Sequence, residues 1–153
     1  MSRWDLAIVG AGPAGSAAAI GALGVDPSLR VALLDRAAFP RDKSCGDGIA
    51  PQVIDLLDAV GVTGIVDGHV PVPRLRLQRG AFGVDRAMAR PTWVIPRAVF
   101  DLRLVDAART AGATVLRHRV RSLAQGVSIV LDGEVDARTV IGADGAQSVV
   151  RRA

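Results

Sequence analysis

The chain has 153 residues, half of them hydrophobic, a formal net charge of +4 and one cysteine. The length bounds it to one domain or part of one, and the lone cysteine excludes an internal disulfide and any multi-cysteine metal site. The basic charge comes from eighteen Arg and a single Lys, scattered along the chain without interleaved aromatics, which argues against a nucleic-acid partner.

In chain order, the apolar run Asp5–Gly10 predicts a first strand. It is far too short to cross a membrane and no signal-peptide pattern precedes it, so a cytoplasmic location is expected. It closes on Gly10-Ala11-Gly12-Pro13-Ala14-Gly15. The Ala-rich stretch Pro13–Leu23 predicts a helix, with Pro13 at the entrance, where its missing N–H costs nothing. Arg30–Asp35 predicts a second strand and Arg36–Gly48 a polar loop. Pro51–Val60 predicts a helix stopped by Gly61. Val70–Pro96 reads as irregular strand, with Leu75 and Leu77 alternating with Arg74, Arg76 and Gln78. Arg97–Thr110 predicts an amphipathic helix whose apolar side is Val99, Leu102, Val105 and Ala108. Ala113–Leu116 predicts a strand. Two short strands around Val120–Leu131 follow, then a turn at Asp132-Gly133. Val135–Ile141 predicts the last strand, ending in Gly142-Ala143-Asp144-Gly145. His69 and His118 lack partners at metal-ligand spacing, so no metal site is expected.

The first strand–turn–helix–strand unit has the spacing of a dinucleotide fingerprint. Gly10 allows the tight turn out of the strand, Gly12 lets backbone approach a pyrophosphate, and Gly15 lets the helix sit close on the sheet. The helix start, with Pro13 and Ala14, offers free N–H groups and a partial positive charge to phosphates. Asp35 stands twenty residues beyond Gly15 and can accept both hydroxyls of an adenosine ribose. A 2′-phosphate beside that carboxylate would bring two anions together, so these residues leave NAD and FAD open.

Two further segments carry a resemblance. One is Phe39-Pro40-Arg41-Asp42-Lys43-Ser44-Cys45-Gly46-Asp47-Gly48-Ile49-Ala50-Pro51. The other is Val140-Ile141-Gly142-Ala143-Asp144-Gly145-Ala146-Gln147-Ser148-Val149-Val150-Arg151-Arg152. With the N-terminal fingerprint and the I-P-R-x-x-F-D run at Arg97, they resemble the FAD domain of the geranylgeranyl reductase family. That family lies within the glutathione-reductase-like flavoproteins that include p-hydroxybenzoate hydroxylase. The F-P-R-x-K-x-C-G-D-G segment is the narrower signature; the I-G-A-D-G segment is shared with flavin hydroxylases and halogenases.

The resemblance implies an α/β, Rossmann-like FAD-binding domain of glutathione-reductase type over 1–153, incomplete at its C-terminus. Relatives continue for roughly 200 residues, the size of another domain or more, with a G-D-A motif that holds the ribityl chain and a substrate sheet. A doubly wound sheet without its final strand would expose an edge and apolar surface. The implied cofactor is FAD, with NADPH or another electron donor for the longer protein. The implied substrate is a lipid-like isoprenoid, with peripheral membrane contact through the further part.

By the same resemblance the loop with Lys43, Cys45, Gly46, Asp47 and Gly48 passes close to the flavin and the substrate. Lys43 and Arg41 would draw Cys45 toward thiolate, making it the candidate catalytic residue; a buried, inert thiol is the alternative. Arg97 is a candidate phosphate contact, and Arg36 either stacks on adenine or is solvated. Asp144 and Gly145 are expected near the pyrophosphate, with Asp144 acting through water, backbone N–H groups or an Arg, for which Arg151 is a candidate. Three functions stay open: a reductase of prenyl double bonds, a hydroxylase or halogenase, and a non-catalytic remnant.

Overall fold

The computed structural model describes residues 3–153. Strand β1 (Trp4–Val9) leads into helix α1 (Pro13–Val25) and strand β2 (Val31–Asp35). A two-residue strand β3 (Gly48–Ile49) precedes helix α2 (Pro51–Ala59). Strands β4 (Val72–Arg79) and β5 (Phe82–Val94) form a long hairpin, followed by helix α3 (Arg97–Ala111). The chain closes with β6 (Thr114–Arg117), β7 (Leu123–Gln125), β8 (Ile129–Leu131), β9 (Val135–Gly142) and a 3-10 turn, Val150–Arg152.

The main sheet has the order β6-β2-β1-β9-β8-β7. Its first four strands are parallel, and β8 and β7 add as an antiparallel meander. Because successive strand residues point to opposite faces, β1 and β2 bury both. Leu6, Ile8, Val31 and Leu33 face a core built with Ala19, Ile20 and Leu23 of α1 and Phe100, Leu104, Val105 and Ala108 of α3. Ala7, Val9, Ala32 and Leu34 face the other way, against Val120, Leu131, Val135 and Ala137. All three α-helices therefore pack in the first core. A doubly wound sheet predicts helices on both faces; here the second face is covered by the meander and the segments around it.

The strand-like stretch 70–96 forms the β4–β5 hairpin, irregular in register between Val72 and Arg74, and β3 joins it as a third strand, with Gly48 and Ile49 paired to Val94 and Trp93. A two-residue strand leaves no periodicity to read. The buried side of α3 is Phe100, Asp101, Leu104, Val105 and Ala108, while Val99 and Leu102 are only half-buried. Val105 and Ala108 of the expected face are buried, and the face extends round to Phe100, Asp101 and Leu104 instead of Val99 and Leu102.

The glycines of the first turn are dictated by contact. A Cβ on Gly15 would overlap the Gly10 carbonyl, and one on Gly10, whose φ is +101°, would overlap the Ala143 carbonyl. Gly21, on the same helix as Gly15, has nothing within 4 Å of its Cβ position. Gly15→Ala is therefore expected to cost about 3 kcal/mol of unfolding free energy, an overpacking effect. Gly21→Ala is expected to gain about 0.5–1 kcal/mol by removing helix-interior glycine entropy. Urea denaturation of the two variants checks both signs; a tolerated Gly15→Ala would mean the turn is not packed as described.

Candidate functional site

Four segments converge at the carboxyl end of β1, where an open parallel sheet presents its ligand crevice. The Gly10–Gly15 turn leaves β1 with the Gly10 N–H donating to the Leu34 carbonyl at 2.7 Å. The Ala143 N–H donates to the Val9 carbonyl at 2.7 Å, which lays the Gly142–Gly145 turn against Gly10. The loop 36–48 and the start of α3 close the other sides.

Asp35 ends β2 half-buried. Its carboxylate accepts the Ala11 N–H at 3.0 Å and the Ala37 N–H at 2.9 Å, so it is held at the mouth of the glycine turn. Arg36 is exposed at the rim. A Cβ on Gly12 would lie 3.4 Å from Arg41 Nη2 and 3.9 Å from Arg97 Nη2, so two guanidinium groups stand over the half-buried Gly12 backbone. Pro13, Ala14 and Gly15 form the first turn of α1, whose leading N–H groups have no partner within the helix. Lys43 Nζ lies 3.9 Å from the Cβ position of Gly145, whose φ is +82°.

The two arginines share a residue that the sequence reading passed over. Asp101 is fully buried and is bound by both Nε and Nη2 of Arg97, at 2.7 and 2.8 Å. Arg41 reaches the same carboxylate at 3.3 Å and Asp35 at 3.7 Å, with its guanidinium 5.1 Å from the centre of the Phe39 ring. The signal available in sequence was an acid four residues after an Arg on a helix otherwise apolar on that side.

Cys45 is exposed, not a buried hydrophobe. Its thiol is drawn below the ordinary thiol range by the Asp47 backbone N–H and then by Arg97, rather than by Lys43 or Arg41 as the sequence suggested. Asp47 adopts φ 55° and its carbonyl accepts the Ile95 N–H at 2.9 Å, which pins the loop to the entrance of α3. Gly46 has open space at its Cβ position and Gly48 only the Gly46 carbonyl at 4.0 Å, an ordinary contact, and neither has a positive φ, so no contact within the chain requires a glycine at either place.

Asp144 does not pair with Arg151. Its carboxylate accepts Ser148 Oγ and the Val149 N–H, each at 2.6 Å, and Arg151 donates to the Ala146 carbonyl instead. Burial raises the Asp144 carboxyl, but these bonds outweigh it and hold the group below the usual carboxylate range. The side chain thus caps the turn after β9 and presents the Gly145 backbone toward Lys43. His118 is paired with Asp132 at 2.9 Å beside the β8–β9 turn, and its backbone N–H donates to the Asp35 carbonyl at 2.8 Å. Among the described residues, no group of three His, Cys, Asp or Glu side chains is arranged to hold a metal ion.

The Gly12 backbone, the α1 start, two guanidinium groups and the Asp35 carboxylate fit the ADP half of a dinucleotide. Fold and crevice together define a dinucleotide-binding domain. The chain belongs to the FAD binding domain family, which matches residues 3–153, and its cofactor is FAD. It is 34% identical over 166 residues to the menaquinone reductase of Mycolicibacterium smegmatis, covering 99% of this chain and 40% of that protein. It is also 34% identical over 162 residues to digeranylgeranylglycerophospholipid reductase 1 of Methanopyrus kandleri, covering 98% of this chain and 42% of that protein. The structure of the flavin-dependent halogenase CmlS superposes with a TM-score of 0.79 at 28% identity, over 99% of this chain and 31% of that one. The chain thus spans about two-fifths of the length of the curated relatives it matches.

The position of Cys45 has a measurable consequence. Because donors stabilise the thiolate, its alkylation by iodoacetamide should reach half-maximal rate at a lower pH than an ordinary thiol. Arg97→Gln removes one of those donors and should move that midpoint upward. A midpoint unchanged by Arg97→Gln would separate the two residues.

Proposed function

We propose that the protein carrying this chain is an FAD-dependent oxidoreductase that saturates prenyl double bonds of an isoprenoid or prenyl lipid, acting in the cytoplasm on a lipid-like substrate. The single observation that carries this reading is the Arg41–Gly48 loop. It brings Cys45 to the same guanidinium that bears on Gly12, and it holds two glycines that nothing inside the chain requires. A loop bare on that side can lie against a flat ring system. The names of similar proteins point the same way: menaquinone, digeranylgeranylglycerophospholipid and geranylgeranyl diphosphate all carry prenyl chains. FAD supplies the two-electron redox chemistry when bound.

In this reading the chain's own residues divide the work. Gly10, Gly12, Gly15 and the start of α1 receive the pyrophosphate, with Arg97 above it. Asp35 takes the adenosine ribose, and Arg36 lies at the adenine rim. Lys43, Gly46, Asp47, Gly48, Asp144 and Gly145 border the inner part of the cofactor, and Cys45 faces the substrate side. The electron donor is NADPH or another reductant, and contact with a membrane surface comes through the remainder of the longer protein.

A second reading, an FAD hydroxylase or halogenase, is favoured by the close superposition on the halogenase CmlS. The longer protein is expected to release FAD, not FMN, on denaturation. Asp35→Ala should weaken FAD binding by about 1–3 kcal/mol, the scale of a lost charged hydrogen-bond partner. Under anaerobic conditions with a chemical reductant, a prenyl-chain substrate should be reduced, and Cys45→Ala should slow turnover far more than it loosens FAD. Oxygen consumed in step with a hydroxylated or halogenated product would sink the reductase reading and leave the FAD site standing.

A further inference from the structure

Asp101 is the only charged residue that is fully buried among the described residues, and it sits between Phe100, Leu104 and Val105 on the core side of α3. A buried carboxylate is costly unless well paired, and one bidentate Arg would suffice. Asp101 has that pair in Arg97 and a second cation in Arg41, which arrives from a loop sixty residues earlier in the chain. Arg41 also touches Asp35, so two acids and two arginines form one line from the ribose-facing carboxylate to the start of α3. Arg41 turns Nη2 toward Gly12 with its Nη1 on Asp101, and Arg97 Nη2, itself bound to Asp101, lies beside the same Gly12 position. The flat face of Arg41 is backed by Phe39.

We propose that Asp101 is a positioning residue for the cofactor diphosphate: its buried carboxylate aims Arg41 and Arg97 together at Gly12. Neither arginine is held by backbone there, and each has a long, rotamer-rich side chain that would otherwise lose entropy on binding an anion. Fixing both beforehand moves that cost from binding to folding. The inference rests on the diphosphate lying at Gly12, and not on which substrate the longer protein reduces.

The sign of one substitution separates positioning from simple electrostatics. As a bare negative charge near a phosphate site, Asp101 repels the ligand, so its removal would tighten binding. As the anchor of two arginines, its removal weakens binding even though the site becomes more positive. The experiment measures the dissociation constants of FAD, ADP and adenosine with unmodified protein and with Asp101→Asn and Asp101→Glu. The Glu variant keeps the buried ion pair, and so the fold, while displacing both guanidinium groups by a methylene; circular dichroism and urea midpoints confirm which variants are folded.

Unmodified protein is expected to prefer ADP to adenosine. Each folded variant should lose about tenfold or more of its ADP and FAD affinity, the scale of charged hydrogen bonds lost, with adenosine affinity unchanged. Equal or tighter ADP binding in a folded variant would overturn the proposal, as would equal losses for ADP and adenosine, which mark a general structural role. Unmodified protein that binds adenosine as tightly as ADP would overturn the placement of the diphosphate itself.

Discussion

The structure depends on how closely three pieces of backbone approach one another at the end of β1. The Gly10 carbonyl, the first turn of α1 and the Ala143 carbonyl occupy space that a Cβ at Gly10 or Gly15 would fill. That contact sets the position of α1 on the sheet and therefore which side chains of α3 reach the core behind it. It also seats the turn after β9 beside the glycine turn, although the two lie more than a hundred residues apart in sequence. With an alanine at Gly15 the helix would have to lift from the sheet, and the crevice would lose its floor.

Charge is then laid on that floor in a balanced way. Arg41 and Arg97 bring two positive charges to an exposed backbone, and Asp35 and Asp101 bring two negative charges behind them. Unbalanced arginines in a partly buried crevice would repel one another; unbalanced acids would repel a diphosphate. The arrangement reconciles the two demands because the acids are set back, Asp101 wholly buried and Asp35 held by the Ala11 and Ala37 N–H groups. The same Arg97 extends the field to Cys45, so the phosphate end and the loop end of the crevice share one cation.

The relatives divide by chemistry while agreeing on this scaffold. Reductases named for prenylated compounds and a flavin-dependent halogenase both align over nearly the whole chain. What they have in common is the fold that this chain spans. What distinguishes their reactions is not that shared fold, because fold alone carries no reaction.

The sequence by itself determined the local elements and the nucleotide fingerprint. Strand, Gly10–Gly15 turn, helix and Asp35 are contiguous, and their meaning comes from short-range periodicity and from where glycine is sterically required. Helices α2 and α3 were legible for the same reason, and the α3 boundaries were close. Only the tertiary structure decided what lies across from them. Asp101 was hidden because a carboxylate within an apolar helix face reads as a break in the stripe until the cations that neutralise it arrive from another segment. Which donors Asp144 takes, among backbone N–H groups and an Arg, was decided by the fold in favour of Ser148 and the Val149 N–H, and Cys45 drew its polarising groups from Asp47 and Arg97 rather than from the basic residues nearest in sequence. The covering of the second sheet face by a meander was likewise beyond local reading, since pairing between distant strands leaves no mark in either strand alone. Electrostatic partners and sheet neighbours are properties of distance in space, and sequence spacing specifies them only where the chain has no room to turn.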